Sequence, residues 1–170
     1  MQIFDIHDRN NESYYRFVKS IENDFYPPLS QRDGGIQAFI EKVYVMNGNV
    51  SIIKDKGVIV GSLSYWITEE NDAYIWLIVI DSKLRGTPKG TMAIIELLRY
   101  NTQKLQEEHG HYLRYVEFRT WEGNSPAQFL YKRLGFEYYK KVQGDVIKGR
   151  TTVFYRDEFK NCYERFVINS

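Results

Sequence analysis

The stretch NSPAQFLYKRLGFE, residues 124–137, decides the fold prediction for this chain. It predicts a short helix capped by Asn124 or Ser125, because short polar side chains accept hydrogen bonds from the free amides of a first helical turn. Proline is favoured at the first helical position, so we expect the helix to begin at Pro126. The stretch therefore marks a helix start without any information from the rest of the chain.

The same helix carries one tyrosine and a clear end. Tyr131 lies four residues after Ala127, which puts both side chains on one face of the helix. Gly135 suits the left-handed position that ends a helix, so Phe136 should enter a strand. Tyr131 can be a packing residue or a functional one, and the helix alone leaves both interpretations open.

A second stretch, RGTPKGT at residues 85–91, indicates an anion site. It follows the continuous apolar run at residues 75–80, which is typical of a central strand covered on both faces. A strand that leads through a glycine turn into a helix presents unpaired backbone amides and a positive dipole end, where diphosphate binds readily. Arg85 and Lys89 would add positive charge. The alternative is a loop that only reverses the chain.

Pro88 limits this second motif, because proline has no N–H to donate and a fixed φ. Thr87 is a good helix cap, and Pro88 then falls at the first helical position, where its missing N–H would have had no partner inside the helix. We therefore expect the loop to keep its shape with one donor fewer, and the hydroxyls of Thr87 and Thr91 can supply another.

Periodicity along the chain predicts one domain with the order β-α-α-β-β-β-α-β-α-β-β. The fold class is α/β, with a mixed, mostly antiparallel sheet of about seven strands and about four helices on its faces. Predicted strands cover residues 2–6, 50–54, 58–68, 73–81, 112–120, 137–142 and 151–155, the last two around a turn at Gly144-Asp145. Predicted helices cover residues 12–25, 36–44, 87–107 and the stretch that begins at Pro126.

Composition excludes several classes of protein. The chain has 170 residues, 43% hydrophobic and 26% charged, and a net charge of only +1, which does not favour nucleic acid as a partner despite 14 tyrosines. Cys162 is alone, and no cluster with metal-ligand spacing occurs, so we expect neither a disulfide nor a metal. The absence of a signal peptide and of a long apolar segment predicts a cytoplasmic protein with no membrane partner.

Charge is distributed unevenly along the chain. Residues 61–82 contain four acids and no Lys or Arg, whereas residues 83–133 contain nine bases and five acids. A cationic substrate near the first stretch and a polyanionic ligand near the second would fit this pattern, and so would chance.

Together, the two motifs resemble those of the GNAT family of N-acetyltransferases, which transfer an acetyl group from acetyl-CoA to an amine. The loop of that family reads Gln/Arg-x-x-Gly-x-Gly/Ala. Arg85 and Gly90 match its ends, whereas Pro88 stands where the inner glycine belongs. The resemblance covers nearly the whole chain and implies a single acyl-CoA N-acyltransferase domain over residues 1–170.

The resemblance implies acetyl-CoA as acyl donor and a role for each matching residue. The hydroxyl of Tyr131 would point at the cofactor sulfur and act as general acid, Asn124 would contact the pantetheine arm, and Arg133 would approach the adenosine phosphate. The strand before the loop would hold the pantetheine, and a free N–H near Ile80 could polarise the thioester carbonyl. The expected cofactor-binding residues are Val79, Ile80, Arg85, Gly86, Thr87, Lys89, Gly90, Thr91, Asn124 and Arg133.

The general base is less clear from the sequence. The stretch VEFR at residues 116–119 resembles the LEVR that precedes the asparagine in ribosomal-type N-terminal acetyltransferases, where the glutamate is the base. This makes Glu117 the candidate, although two extra residues separate it from Asn124. A strand glutamate that faces solvent or pairs with Arg119 is an equal alternative. Glu69, Glu70 and Asp72, or a base acting through water, are further possibilities.

The acceptor is an amine of unidentified nature, either a small molecule or a protein N-terminus. The resemblance implies that the acceptor contacts the loop between the first two helices, through Tyr26, Pro27 and Leu29 and over residues 30–35, and the turn around Gly144. A non-catalytic acyl-CoA sensor or interaction module on the same fold is the alternative function. Residues 160–170 would add an edge strand or a dimer contact, and the chain would be a monomer or a homodimer.

Overall fold

The computed structural model describes residues 1–144 and 150–170, which form a seven-stranded sheet with helices on both faces. The strands are β1 (Gln2–Asp5), β2 (Asn49–Asp55), β3 (Val58–Ile67), β4 (Ala73–Ile80), β5 (Tyr115–Trp121), β6 (Glu137–Gln143) and β7 (Thr151–Glu158). The α-helices are α1 (Glu12–Ser20), α2 (Gly35–Val45), α3 (Pro88–His109), α4 (Ser125–Arg133) and α5 (Phe159–Tyr163). The predicted α/β class and mixed sheet are confirmed, with α5 as an additional helix.

The sheet order is β1-β2-β3-β4-β5-β7-β6, and every neighbouring pair is antiparallel except β4 and β5. β4 pairs with β5 only from Ala73 to Ile75, although β4 continues to Ile80 and β5 to Trp121. The two strands therefore diverge near the middle of the sheet. Beyond Ile75, the edge of β4 that faces β5 has no strand partner among the described residues.

Two apolar clusters cover the two faces of the sheet. One contains buried residues of α1 and α2 with the α1–α2 connection, including Phe17, Leu29 and Phe39. The other contains buried residues of α3, α4 and α5, including Leu97 and Tyr131. Because both faces are covered, β4 can be almost continuously apolar, as its sequence predicts.

The first helix is shorter than the predicted range 12–25. α1 ends at Ser20, residues 22–24 form a single 3₁₀ turn, and Phe25 is extended at φ −99° and ψ 151°. Phe25 packs edge-on against Phe39 of α2, with ring centroids 5.1 Å apart. This tertiary contact places Phe25 away from the α1 face to which its spacing assigned it.

The C-terminal segment forms helical turns and not the edge strand that was one of its two predicted forms. α5 is followed by a π-helical turn, Glu164–Ile168. Phe159, Cys162 and Phe166 recur at helical spacing, and each is at most 5% exposed within the cluster that contains α3. Burial of one helical face therefore explains the structure of this segment.

Residues 1–144 and 150–170 include no helix long and apolar enough to cross a membrane, and no group of three or more potential metal ligands. The predicted turn at Gly144-Asp145 is described only in part. Gly144 follows β6 in the left-handed region, at φ +62°, and Asp145 lies outside the described residues.

Candidate active site

The divergence of β4 and β5 opens a cleft of about 540 Å³. Residues of both sheet faces line it, from Tyr131 of α4 on one side to Phe39 of α2 on the other. The cleft therefore passes between the two strands, and its two walls are built by different parts of the chain.

The first wall is formed by the loop after β4 and by α4. We define the motif wall as the cleft-lining residues Arg85, Gly86, Thr91, Asn124 and Tyr131. Each belongs to one of the two predicted motifs.

The start of α3 has the predicted geometry. Thr87 is the N-cap, its hydroxyl accepts a hydrogen bond from the amide of Gly90 at 3.1 Å, and Pro88 is the first helical residue. Gly86 has φ +73°, a conformation that side chains other than glycine rarely adopt. This local chemistry directs the positive end of α3 toward the cleft, where Gly86 and Thr91 line it.

Gly90 allows α3 to start close to the loop that precedes it. A Cβ atom at this position would lie 2.0 Å from the carbonyl oxygen of Leu84 and 2.9 Å from Cδ1 of Ile80. Gly90 is buried and does not line the cleft. Its part in the motif is thus to permit close packing.

The two predicted phosphate-binding cations have partners within the protein. The guanidinium of Arg85 lines the cleft and pairs with Asp24 through Nη1 at 2.9 Å and through Nη2, and this hydrogen bonding raises the pKa of Arg85. Lys89 pairs with Asp55 at 2.5 Å and is not among the cleft-lining residues. Of these two residues of the loop, Arg85 alone lines the cleft, where a ligand would contact it directly.

Tyr131 is 7% exposed, and its ring stacks on Phe118 with centroids 4.5 Å apart. Its hydroxyl makes no hydrogen bond with any described residue, and the side chain lines the cleft. Burial, and then the neighbouring hydroxyls of Tyr74 and Tyr155, raise the pKa of Tyr131, so the phenol stays protonated at neutral pH. The cleft therefore contains a neutral phenol with an unused proton.

Asn124 caps α4, so the helix begins at Ser125, one residue before the predicted start. Its Oδ1 accepts from the amide of Ala127 at 3.4 Å, and its Nδ2 donates to Oγ1 of Thr120 at 3.0 Å. Gly135 follows the helix at φ +95°, as predicted. Asn124 thus lines the cleft with a side chain whose orientation two protein contacts fix.

Glu117 is 7% exposed and does not line the cleft. Its Oε2 accepts two hydrogen bonds from Arg119, from Nε at 3.0 Å and from Nη2 at 2.9 Å, and its Oε1 accepts from the hydroxyl of Tyr139. The alternative of a strand glutamate paired with Arg119 is the arrangement that the structure contains. The fallback residues Glu69, Glu70 and Asp72 do not line the cleft either.

The second wall is formed by the connection between α1 and α2 and by the ends of β5 and β7. We define the arginine wall as Arg32, Arg119 and Arg150 together with the rings of Tyr26 and Trp121, all of which line the cleft. The rings of Tyr26 and Trp121 lie 5.5 Å apart. Arg150 lies over the ring of Tyr26 at 3.3 Å.

The predicted acceptor residues divide between this wall and the interior. Tyr26 lies on the arginine wall. The prediction that Leu29 contacts the acceptor is wrong, because its side chain is fully buried among residues of α1 and α2. Pro27 does not line the cleft, although its carbonyl accepts from Nε of Arg32 at 3.2 Å.

The structure brings most of the predicted cofactor residues together and leaves a few outside. The predicted residues that line the cleft are Val79, Ile80, Arg85, Gly86, Thr91, Asn124, Tyr131, Arg133 and Tyr26. Those that do not line it are Thr87, Lys89, Gly90, Glu117, Pro27 and Leu29.

The sequence pointed to Tyr26 and to residues 30–35, which include Arg32, but it did not indicate that Arg119, Trp121 and Arg150 belong to the arginine wall. Arg32, Arg119 and Arg150 are far apart in the sequence and carry no shared motif. The sequence feature that points to this region is the proline pair after Tyr26, which predicts a loop between two helices. The uneven charge of the sequence does not predict this wall either. A cationic substrate would have fitted the acids of residues 61–82, but those acids do not line the cleft.

Comparison with known proteins identifies the family. The model of the acetyltransferase (GNAT) family matches residues 12–136. Over 100 residues the chain is 25% identical to L-2,4-diaminobutyric acid acetyltransferase of Virgibacillus pantothenticus; the match covers 58% of this chain and 56% of that protein, so little more than half of this relative is spanned.

Solved structures share the fold. An acetyltransferase of the GNAT family from Staphylococcus aureus Mu50 has a TM-score of 0.68 at 20% identity, covering 93% of this chain and 98% of that chain. Aminoglycoside 6'-N-acetyltransferase complexed with coenzyme A has a TM-score of 0.68 at 14% identity, covering 94% and 97%. The chain thus belongs to the GNAT family of acetyltransferases.

Proposed function

We propose that this protein transfers the acetyl group of acetyl-CoA directly to a primary amine. The observation that carries this proposal is Tyr131, which lines the cleft between β4 and β5 and whose hydroxyl makes no hydrogen bond with any described residue. The relatives support the reaction type, since one is named for acetylating diaminobutyrate and another for acetylating aminoglycosides.

The cleft fits coenzyme A on two observations. Beyond Ile75, the edge of β4 offers backbone groups without a strand partner, which suits the amides of a pantetheine arm. The start of α3 presents Gly86 and Thr91 at its positive end, which suits a diphosphate. When bound, the cofactor supplies an acetyl thioester. Arg133, which also lines the cleft, is proposed to approach the adenosine phosphate.

Tyr131 is proposed to protonate the departing sulfur. In the proposed transfer, the bond from the amine nitrogen to the acetyl carbon would form, the bond from carbon to sulfur would break, and the phenol would give its proton to sulfur. The proton that the new amide nitrogen loses would return to the phenolate through water. A thiol has a pKa of about 8.5 and a phenol of about 10, so the transfer is mildly uphill in water. Burial disfavours the charged form of both groups, so it does not by itself widen this difference. A neutral phenol at this position is therefore a suitable proton donor.

The amine must lose a proton before it attacks, because an alkylammonium has a pKa of about 10.4. Asp24 is the one carboxylate among the described residues that line the cleft, and it is paired with Arg85. The arginines of the cleft disfavour a second positive charge and thus lower the pKa of a bound ammonium. We propose that the proton leaves through water, and that Glu117 acts by holding Arg119.

The alternative function is an acyl-CoA-binding module without turnover. One observation favours it: Asp24 and Glu117 are both engaged with arginines, so neither is offered to an amine as a free base. In that case the cleft would bind coenzyme A through the same motif wall.

Incubation with acetyl-CoA and a panel of primary amines separates the two functions, with free thiol as the readout. The panel should contain amino acids, diamines, an aminoglycoside and a peptide with a free N-terminus. We expect thiol release that depends on the amine. Binding of coenzyme A without amine-dependent thiol release from any member would favour the module.

A further inference from the structure

Two guanidiniums of the arginine wall have no anionic partner in the described part of the chain. Among residues 1–144 and 150–170, neither Arg32 nor Arg150 forms an ion pair. Both donate instead to the carbonyl oxygen of Tyr26, Arg32 through Nη2 at 3.4 Å and Arg150 through Nη1 at 2.5 Å. Two positive charges therefore lie beside one another at one end of the cleft.

The surroundings hold Arg150 in place and leave one of its donors unused. Its guanidinium lies 3.3 Å from the ring centroid of Tyr26 and 4.9 Å from that of Trp121. Its Nη2 is buried and has no hydrogen-bond partner among the described residues. A buried donor without an acceptor is costly, so an anion that reached this atom would stabilise it.

The proximity of the two charges also affects Arg32. Burial lowers the pKa of Arg32, and the neighbouring charge of Arg150 lowers it further. An anion between the two guanidiniums would relieve this repulsion, because opposite charges at close range favour the charged form of each.

Arg119 is fixed in the same wall by a different arrangement. Glu117 binds its Nε and Nη2, and its guanidinium lies 4.2 Å from the ring centroid of Tyr74 and 4.9 Å from that of Phe154. Nη1 makes no hydrogen bond with any described residue, so it is available to a ligand in the cleft.

The charges of the cleft as a whole favour an anion over a cation. Five arginines line it, namely Arg32, Arg85, Arg119, Arg133 and Arg150, and the one described acid that lines it, Asp24, is taken up by Arg85. A polyamine would meet the positive charges of Arg32 and Arg150. A carboxylate would instead meet planar guanidiniums, which can bind it through two parallel hydrogen bonds in a bidentate geometry.

We propose that the acceptor is a primary amine that also carries a carboxylate, as in an amino acid with an amine to acetylate, and that Arg32 and Arg150 bind this carboxylate. Arg119, positioned by Glu117, presents its free Nη1 to the same molecule. The identification of this ligand as the acceptor rests on the proposed function, whereas its binding preference can be measured without turnover.

The test compares matched amines by calorimetry, using the protein saturated with coenzyme A. One pair is 2,4-diaminobutyrate and 1,3-diaminopropane, and another is lysine and 1,5-diaminopentane; the members of each pair differ by one carboxylate. We expect the carboxylate-bearing member to bind at least about ten-fold more tightly, the effect of one charge-assisted hydrogen bond. A third pair, 2-aminoethyl phosphate and ethanolamine, tests a phosphate in place of the carboxylate.

Variants of the two unpaired arginines locate the preference. Arg32→Gln and Arg150→Gln should each lower the affinity for the carboxylate-bearing member by about ten-fold. The affinity for the diamine should stay the same or rise, because each variant removes a positive charge beside it. Arg9→Gln is the matched control, because Arg9 is exposed and lies near Tyr44, outside the cleft. Unchanged affinity for coenzyme A in each variant will show that the fold is intact.

Three results would overturn the proposal. These are equal or tighter binding of the diamines in the unaltered protein, a preference confined to the phosphate pair, and equal weakening of both members by the arginine variants. A carboxylate preference without thiol release would instead refute the proposed function alone, so the two failures are distinguishable.

Discussion

The two walls of the cleft are built on different principles. The motif wall comes from two short stretches, and each carries its own signals: a helix cap, a proline in the first turn, and a glycine where the backbone must turn or approach closely. The arginine wall comes from residues 32, 119 and 150, which meet only because β5 lies beside β7 and the α1–α2 connection reaches both. Residues close together in the sequence thus form the proposed cofactor-binding wall, whereas the sheet topology brings distant residues together to form the proposed acceptor-binding wall.

The largest effect should come from the motif wall, at the group proposed to do chemistry. Tyr131→Phe removes a hydroxyl that has no partner among the described residues, so we expect little change in stability. The turnover number should fall by about 100-fold, the lower end of what a general acid contributes. Thiol release measured with saturating acetyl-CoA and a competent amine provides the test.

Tyr155→Phe is the matched control. Its ring lies 5.5 Å from that of Tyr131, it is also buried, and its hydroxyl donates to Oε1 of Gln128 at 2.8 Å, but it does not line the cleft. This variant should lose about 1 kcal/mol of stability and keep its turnover. If both variants kept full turnover, the general-acid role would be lost, whereas the family and the fold would stand.

A second prediction asks whether the motif wall depends on close packing. Gly90→Ala would place Cβ 2.0 Å from the carbonyl oxygen of Leu84, so the start of α3 must move. We expect a loss of about 1–3 kcal/mol in the free energy of unfolding, as for other overpacked sites, together with weaker binding of coenzyme A. Met92→Ala, in the same helix and 54% exposed, is the control and should change neither quantity. Unaltered melting temperature and cofactor affinity in Gly90→Ala would contradict this role.

The smallest expected effect should come from Glu117, which pairs with Arg119 of the arginine wall. Glu117→Gln removes the charge that holds Arg119, so we expect the KM for a carboxylate-bearing acceptor to rise several-fold while the turnover number changes little. If Glu117 were the general base, the turnover number would fall by about 100-fold and the acidic limb of the pH profile would change. Glu122→Gln, an exposed residue paired with Lys141, controls for the loss of a nearby carboxylate.

Most of the fold could be predicted because its determinants are local. The period-two strands, the cap at Thr87 and the stop at Gly135 depend on neighbouring residues, and the structure contains them. The end of α1 could not be predicted in the same way. Phe25 continues the helical spacing of the sequence, but its contact with Phe39 favours an extended conformation.

The site shows the same limit. Tyr131 and Arg85 could be placed in the cleft from their motifs, but the sequence does not show that Arg85 would pair with Asp24 and Lys89 with Asp55. Leu29 followed two prolines in a predicted surface loop, and its burial depends on α1 and α2 closing over it. Partners from distant segments decide which charges remain available to a ligand.

The divergence of β4 from β5 has a consequence for the protein in isolation. Strand edges elsewhere lie at the margins of a sheet, where they can pair with a neighbouring molecule and promote aggregation. Here an open edge lies in the middle of the sheet, between β4 and β5, at the bottom of a cleft flanked by α2 on one side and α4 on the other. The chain therefore offers backbone hydrogen-bonding groups to a ligand inside a cleft, away from the margins of the sheet where strands of neighbouring molecules pair.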